Sequence, residues 1–229
     1  MEPVLSAAMG PDEPRSLLEV AFTAAATGAE PAEPEDDEIT TRLLDAAHDQ
    51  FCRMGVKRST MADVAKLAGL SRITLYRRFA TKDALFEQVV RREFRRYFDR
   101  FTADVSKAET VQDRVVEGFA SSLRAIRDNP LIGGLMSTEP DAVLPSMLFD
   151  GGRTLAVVRR FVAGQLRVEQ HAGTVDAEVD ADLVAEMMVR TCASFLAIPS
   201  FVVDLDDEAQ VRAVARRFLV PMLEPPRAP

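Results

Sequence analysis

From Ile39 onward the apolar side chains recur at every third or fourth position, the repeat that lines one face of an α-helix. Ile39, Leu43, Ala46, Ala47, Phe51 and Met54 make the first such face, and Gly55 ends it. Thr60 then offers a side-chain cap with Asp63 three residues on, a capping-box variant, ahead of Met61, Val64, Ala65 and Ala68 on one side. Gly69 stops this second helix early. Ser71 can cap a third helix that runs to Arg78 or Phe79, and Thr81 a fourth that starts at Lys82 and extends past Phe101. The fourth carries Leu85, Val89, Val90, Phe94, Tyr97, Phe98 and Phe101, a stripe too long for the N-terminal unit alone, so it is expected to join two packed bodies.

Further along, Thr110 with Asp113 opens a helix that ends before Asn129-Pro130. The prolines and glycines between positions 130 and 152 break the pattern into short helices around 132–136 and 142–149. A longer helix follows over 153–169, then a connection over 173–180, then amphipathic segments over 182–198 and 208–219. Phe201-Val202-Val203 is the best strand candidate, with a buried loop as the alternative. There is no internal repeat. The expected fold is all-α: a tail over 1–36, a three-helix unit over 37–84 containing a helix-turn-helix, and a larger helical body over 85–225.

Composition is that of an ordinary globular chain, 47% hydrophobic and 28% charged over 229 residues. No apolar run reaches the roughly 18 residues of a bilayer span, so no membrane partner is expected. Glu19 interrupts the apolar run over 17–26 and no basic cluster precedes it, so no secretory signal is expected either. Cys52 and Cys192 lie far apart inside helical patterns and read as buried thiols, which fits a reducing, cytoplasmic setting. The net charge of −8 hides a strong asymmetry: residues 1–38 hold ten acidic side chains and one basic, whereas residues 39–82 hold nine basic and three acidic. Positive charge is thus concentrated on the short helices, where a polyanion could use it.

Two helices joined by a glycine-containing turn, the second capped and polar outside, are the ingredients of a helix-turn-helix. The turn is Ala68-Gly69-Leu70-Ser71. Leu75 and Phe79, one turn apart, can anchor the second helix, which turns Arg72, Ile73, Tyr76 and Arg77 outward. Arg72, near the helix start, suits a bidentate contact to guanine, and Ile73 a thymine methyl. Thr74, Tyr76, Arg78 and Lys82 suit phosphate oxygens.

The run from Gly55-Val56 through Thr60-Met-Ala-Asp-Val-Ala-Lys-Leu-Ala-Gly-Leu-Ser-Arg-Ile-Thr-Leu-Tyr-Arg-Arg-Phe-Ala-Thr-Lys-Asp-Ala-Leu85 resembles the tetracycline-repressor (TetR) family of transcriptional regulators. The resemblance covers residues 39 to 86. It implies DNA contacts from Thr60, Ser71, Tyr76 and Lys82, and a helical body that senses a small-molecule effector and forms a homodimer on palindromic double-stranded operator DNA. Two positions depart from the family pattern. Ile73 stands where glycine is common, which favours apolar readout over close backbone approach. Arg77-Arg78 replaces a usual aromatic or histidine pair, which raises phosphate affinity and its salt dependence. For the implied dimer, Leu183, Met187, Met188, Thr191, Phe195 and Ile198 form one apolar face and Val211, Val214, Ala215, Phe218 and Leu219 another.

Phe119, Leu123, Met136, Met147, Phe149, Phe161 and Met188 are pocket candidates for an apolar effector, with plain core as the alternative. Arg91, Arg92, Arg95, Arg96 and Arg100 read as a solvated helix face paired with Glu87, Glu93 and Asp99. His48 follows Asp45 without a third ligand and reads as a surface histidine; no metal and no cofactor are expected. An enzyme is not expected, since the chain holds no HExxH pair, no Cys with a plausible His partner and no phosphate-cradling glycine loop. The remaining alternative is a DNA-binding or partner-docking helical protein without an effector.

Overall fold

The computed structural model describes residues 38–139 and 153–225, and within them every regular element is a helix. We number them α1 (Glu38–Met54), α2 (Met61–Leu67), α3 (Arg72–Arg78), α4 (Lys82–Val105), α5 (Val111–Arg127), α6 (Ile132–Thr138), α7 (Arg153–His171), α8 (Ala181–Ala197) and α9 (Glu208–Val214). The chain continues from α9 through a π turn, Ala215–Leu219, into a 3-10 turn, Val220–Leu223. Pro221 lacks the N–H that an α ladder would need there. The sequence-expected tail over 1–36 and short helix over 142–149 lie outside the described residues.

Helix starts are fixed by side chains placed where four backbone amides lack partners. Thr60, Thr81, Thr110, Asp180 and Asp207 each accept an amide at the head of α2, α4, α5, α8 and α9. At Thr60 and Thr110 the box closes differently from the usual pattern. The aspartate three residues on accepts the threonine hydroxyl, at 2.6 and 2.8 Å, because its shorter chain stays beside the hydroxyl.

Two apolar clusters result. The first joins Leu43, Ala47 and Phe51 of α1 to Val64 and Ala65 of α2, Leu75 of α3 and Leu85, Val89 and Val90 of α4, and it takes in Leu131 and Leu135 at α6. The second joins α5, α7, α8 and the α9 extension through Val116, Leu123, Ala163, Leu166, Ala185 and Leu219. Helix α4 gives Leu85, Val89 and Val90 to the first cluster, and further along it Phe98 and Phe101 meet the Phe161 ring of α7.

Three expectations are corrected. Phe201 and Val202 are fully or nearly fully exposed, and Ser200 Oγ accepts from the amides of Val202 and Val203. This local side-chain turn takes the donors a strand ladder would use, so the segment is neither strand nor buried loop. Met188 is buried whereas Met187 is half-exposed, so the two adjacent methionines fall on opposite sides of α8. The outward face of α8 therefore holds Leu183, Met187 and Ile198, and on the last helix Phe218 is exposed while Val211, Ala215 and Leu219 are buried.

Candidate nucleic-acid interface and adjoining cavity

The turn between α2 and α3 is closed by backbone geometry that its sequence anticipates. Gly69 adopts φ +65°, open to glycine without the steric cost a Cβ brings. The Leu70 amide reaches back to the Ala65 carbonyl at 2.9 Å, and Arg42 from α1 donates to the Ala68 carbonyl at 2.8 Å. Ser71 Oγ accepts the Thr74 amide at 3.1 Å and sits 2.9 Å from the Thr74 hydroxyl.

Helix α3 is thereby held as a lever with two faces. Leu75 and Phe79 are buried in the first cluster, whereas Arg72, Ile73, Tyr76, Arg77 and Arg78 are exposed, Ile73 at 75% and Tyr76 at 52%. Thr60 and Ser71 are exposed at the heads of α2 and α3, and Thr74 is half-buried with its hydroxyl engaged by Ser71. Lys82 is placed differently. Its ammonium donates to the carbonyls of Val56 at 2.8 Å and Ser59 at 3.2 Å, so the charge ties the α1–α2 turn to the head of α4. The same turn is gripped from α6: the Glu139 carboxylate accepts the Lys57 amide at 3.3 Å over Gly55, which has φ +75° and no Cβ to obstruct it.

The surface reading of His48 is corrected. Its side chain is mostly covered, with Nε2 3.9 Å from Glu93 Oε1 and Nδ1 3.5 Å from Asp49. Glu93 is itself buried, not on a solvated face: Arg96 donates to one oxygen at 3.0 Å and Asn129 to the other at 3.0 Å. Asn129 Oδ1 in turn accepts the amides of Leu131 and Ile132 at the head of α6. Arg91 keeps its expected partner Glu87 at 2.6 Å, but Arg92 pairs with Asp45 of α1 at 2.8 Å. The charges on α4 thus tie two elements together as well as facing water. Burial raises the thiol of Cys52 to about 11, helped by Glu93 and Asp49, and that of Cys192 to about 12, so both stay protonated.

Below Glu93 the body opens into a cavity of about 490 Å³ among α4, α5, α7 and α8. Of the pocket candidates, Phe119, Phe161 and Met188 line it. Leu123 is instead fully buried in the second cluster, off the cavity wall. Met147 and Phe149 lie outside the described residues, as does the side chain of Met136. The sequence reading missed Phe94, Tyr97, Phe98 and Phe101, which line the cavity from α4. Their stripe was visible, but a stripe cannot say whether it meets a neighbour or a hollow. Among the described residues no group of three His, Cys, Asp or Glu side chains could hold a metal, and no helix is long and apolar enough to cross a membrane.

Residues 43–89, which contain this capped pair of helices, match the model for the tetR family of bacterial regulatory proteins. The match makes residues 43–89 a helix-turn-helix segment of the tetR type, and curated relatives of the chain are named transcriptional regulators. An HTH-type transcriptional regulator of Mycobacterium tuberculosis is 28% identical over 187 residues, 82% of this chain and 86% of the relative. The fatty acid degradation regulator FadR from Bacillus halodurans superimposes with a TM-score of 0.59 at 15% identity, covering 85% of this chain and all of that one. FadR from Bacillus subtilis, solved in complex with stearoyl-CoA, superimposes at 0.56 with 16% identity, covering 80% and 97%. At these identities the structural likeness establishes the fold.

Proposed function

We propose that this regulator is a ligand-responsive repressor that binds palindromic operator DNA as a homodimer in the cytoplasm and is released by a small apolar effector. The observation that carries the DNA reading is the two-faced α3: Leu75 and Phe79 buried, Arg72, Ile73, Tyr76 and Arg77 outside. A helix so mounted fits a major groove about 12 Å wide. Arg72 at its N-terminal end is placed to reach a guanine edge and Ile73 a thymine methyl. Thr60, Ser71, Thr74, Tyr76, Arg77 and Arg78 surround it as phosphate contacts; Lys82 acts there by positioning the head of α4, since its ammonium is engaged inside the protein.

Leu183, Met187, Ile198 and Phe218 leave apolar area on the outer side of the last two long elements, which supports self-association there. The cavity supports the effector, since its volume lies within the range of small-molecule sites, about 300–1,000 Å³. A partner-docking protein without an effector would need no such hollow. The test is fluorescence anisotropy on DNA selected from a random pool by the purified protein. Arg72→Ala and Tyr76→Ala should each weaken binding by about tenfold or more, the scale of one lost base or phosphate contact. Unchanged affinity in both variants would overturn the assignment of α3 as the reading element.

A further inference from the structure

We propose that the cavity takes an uncharged, largely hydrocarbon molecule bearing one oxygen acceptor, held by the Tyr97–Ser122 hydroxyl pair, and that it rejects carboxylates. This deepens the reading of the cavity as the effector site and rests on it.

The charges on the wall decide the first half. Among the described residues that line the cavity, the charged side chains are Glu93, Arg114 and Glu169. Arg114 is the one cation, and both its terminal nitrogens are engaged. Nη2 meets Glu169 at 2.8 Å, and Nη1 donates to the carbonyls of Ala108 and Glu109 at 3.2 Å each. Glu169 also accepts the Thr174 hydroxyl at 2.6 Å. Glu93 is held by Arg96 and Asn129. Among the described residues the wall therefore offers no cation whose terminal nitrogens are uncommitted, and an entering carboxylate would be desolvated without a partner.

The hydroxyl pair decides the second half. Tyr97 of α4 and Ser122 of α5 stand 3.1 Å apart, oxygen to oxygen, on a wall that Phe94, Phe98, Phe101 and Phe161 also line. Each hydroxyl has one hydrogen, and the bond between them uses one of the two. Whichever oxygen donates, one hydrogen is left to offer. Burial pushes the phenol well above its ordinary range, so Tyr97 stays protonated and the pair keeps both hydrogens at any physiological pH. A ketone, ester or ether oxygen can take the spare one while the hydrocarbon lies against the rings.

The experiment is isothermal titration calorimetry on the full chain without DNA, using three twelve-carbon probes: 2-dodecanone, dodecane and dodecanoate. The ketone should bind most tightly, dodecane about tenfold more weakly for want of the hydrogen bond, and dodecanoate at least about a hundredfold more weakly. Tyr97→Phe and Ser122→Ala should each retain most of the ketone preference, because the surviving hydroxyl still has a hydrogen to give. The double variant should bind ketone and alkane equally, with alkane affinity kept. Dodecanoate binding as tightly as the ketone, a ketone preference that survives the double change, or failure of all three probes to bind would overturn the proposal. Because no DNA is present, such a failure leaves operator binding standing. Tight ketone binding with no effect on the operator complex would instead sink the effector reading alone.

Discussion

Gly69 and Gly164 should respond to the same substitution with opposite signs. Gly69 holds φ +65° in the α2–α3 turn, and a Cβ there would lie 3.4 Å from Arg42 Nη2. Left-handed backbone costs an L-residue about 1–2 kcal/mol. Losing glycine's freedom in the unfolded chain returns about 0.4–1 kcal/mol. The balance for Gly69→Ala is a loss of about 1 kcal/mol, larger if Arg42 must release the Ala68 carbonyl. Gly164 lies inside α7, and a Cβ there would meet nothing within 4 Å. Gly164→Ala should gain about 0.5–1 kcal/mol, the helix-propensity difference. For a chain of this size each kcal/mol moves Tm by about 2–4 °C. Urea titration with calorimetry reads both changes. Operator affinity adds a second reading: Gly69→Ala should weaken it by disturbing how α3 is presented, and Gly164→Ala should leave it alone. A Gly69→Ala protein as stable as the parent, or a destabilised Gly164→Ala, would refute this account of the turn.

Three further outcomes follow from the packing. Lys82→Met should cost about 1.5–3 kcal/mol in urea titration, since it removes charge-assisted bonds to Val56 and Ser59, whereas a purely DNA-facing lysine would change stability little. Phe218→Arg with Leu183→Arg should shift sedimentation to the monomer and weaken operator binding, while the far-ultraviolet helical signal persists. Cys192 should react negligibly with a thiol reagent at pH 8 until urea exposes it. Its raised value of about 12 means that the stabilisation linked to its proton is fully present below the unfolded value near pH 9 and is lost as pH rises toward 12.

The DNA-facing unit was legible because its signals are local. Thr60, Ser71 and Thr81 cap helices within three residues of themselves, Gly69 marks the left-handed turn, and Leu75 with Phe79 sets the buried side of α3. The body was legible in helix positions but not in what the helices face. Glu93 sits at the spacing of a surface ion pair with Arg96, and it makes that pair, yet it is buried because Asn129 and His48 approach it from other elements. Lys82 reads as a phosphate ligand until the carbonyls of a turn far away in sequence claim its charge. Phe201, Val202 and Val203 have strand composition, but Ser200 Oγ accepts the amides of Val202 and Val203 first. In each case the deciding partner is distant, or competes with the ladder, and periodicity carries no record of it.

The proposed function requires the outer face of α3 to read bases. Sequencing DNA selected in parallel by the parent protein, Arg72→Ala and Arg77→Ala tests it most directly. Arg72→Ala should lose base preference at one symmetry-related pair of positions and keep it elsewhere, while Arg77→Ala should keep the whole profile and lower the salt slope by about one. A base profile in Arg72→Ala identical to the parent's would contradict it.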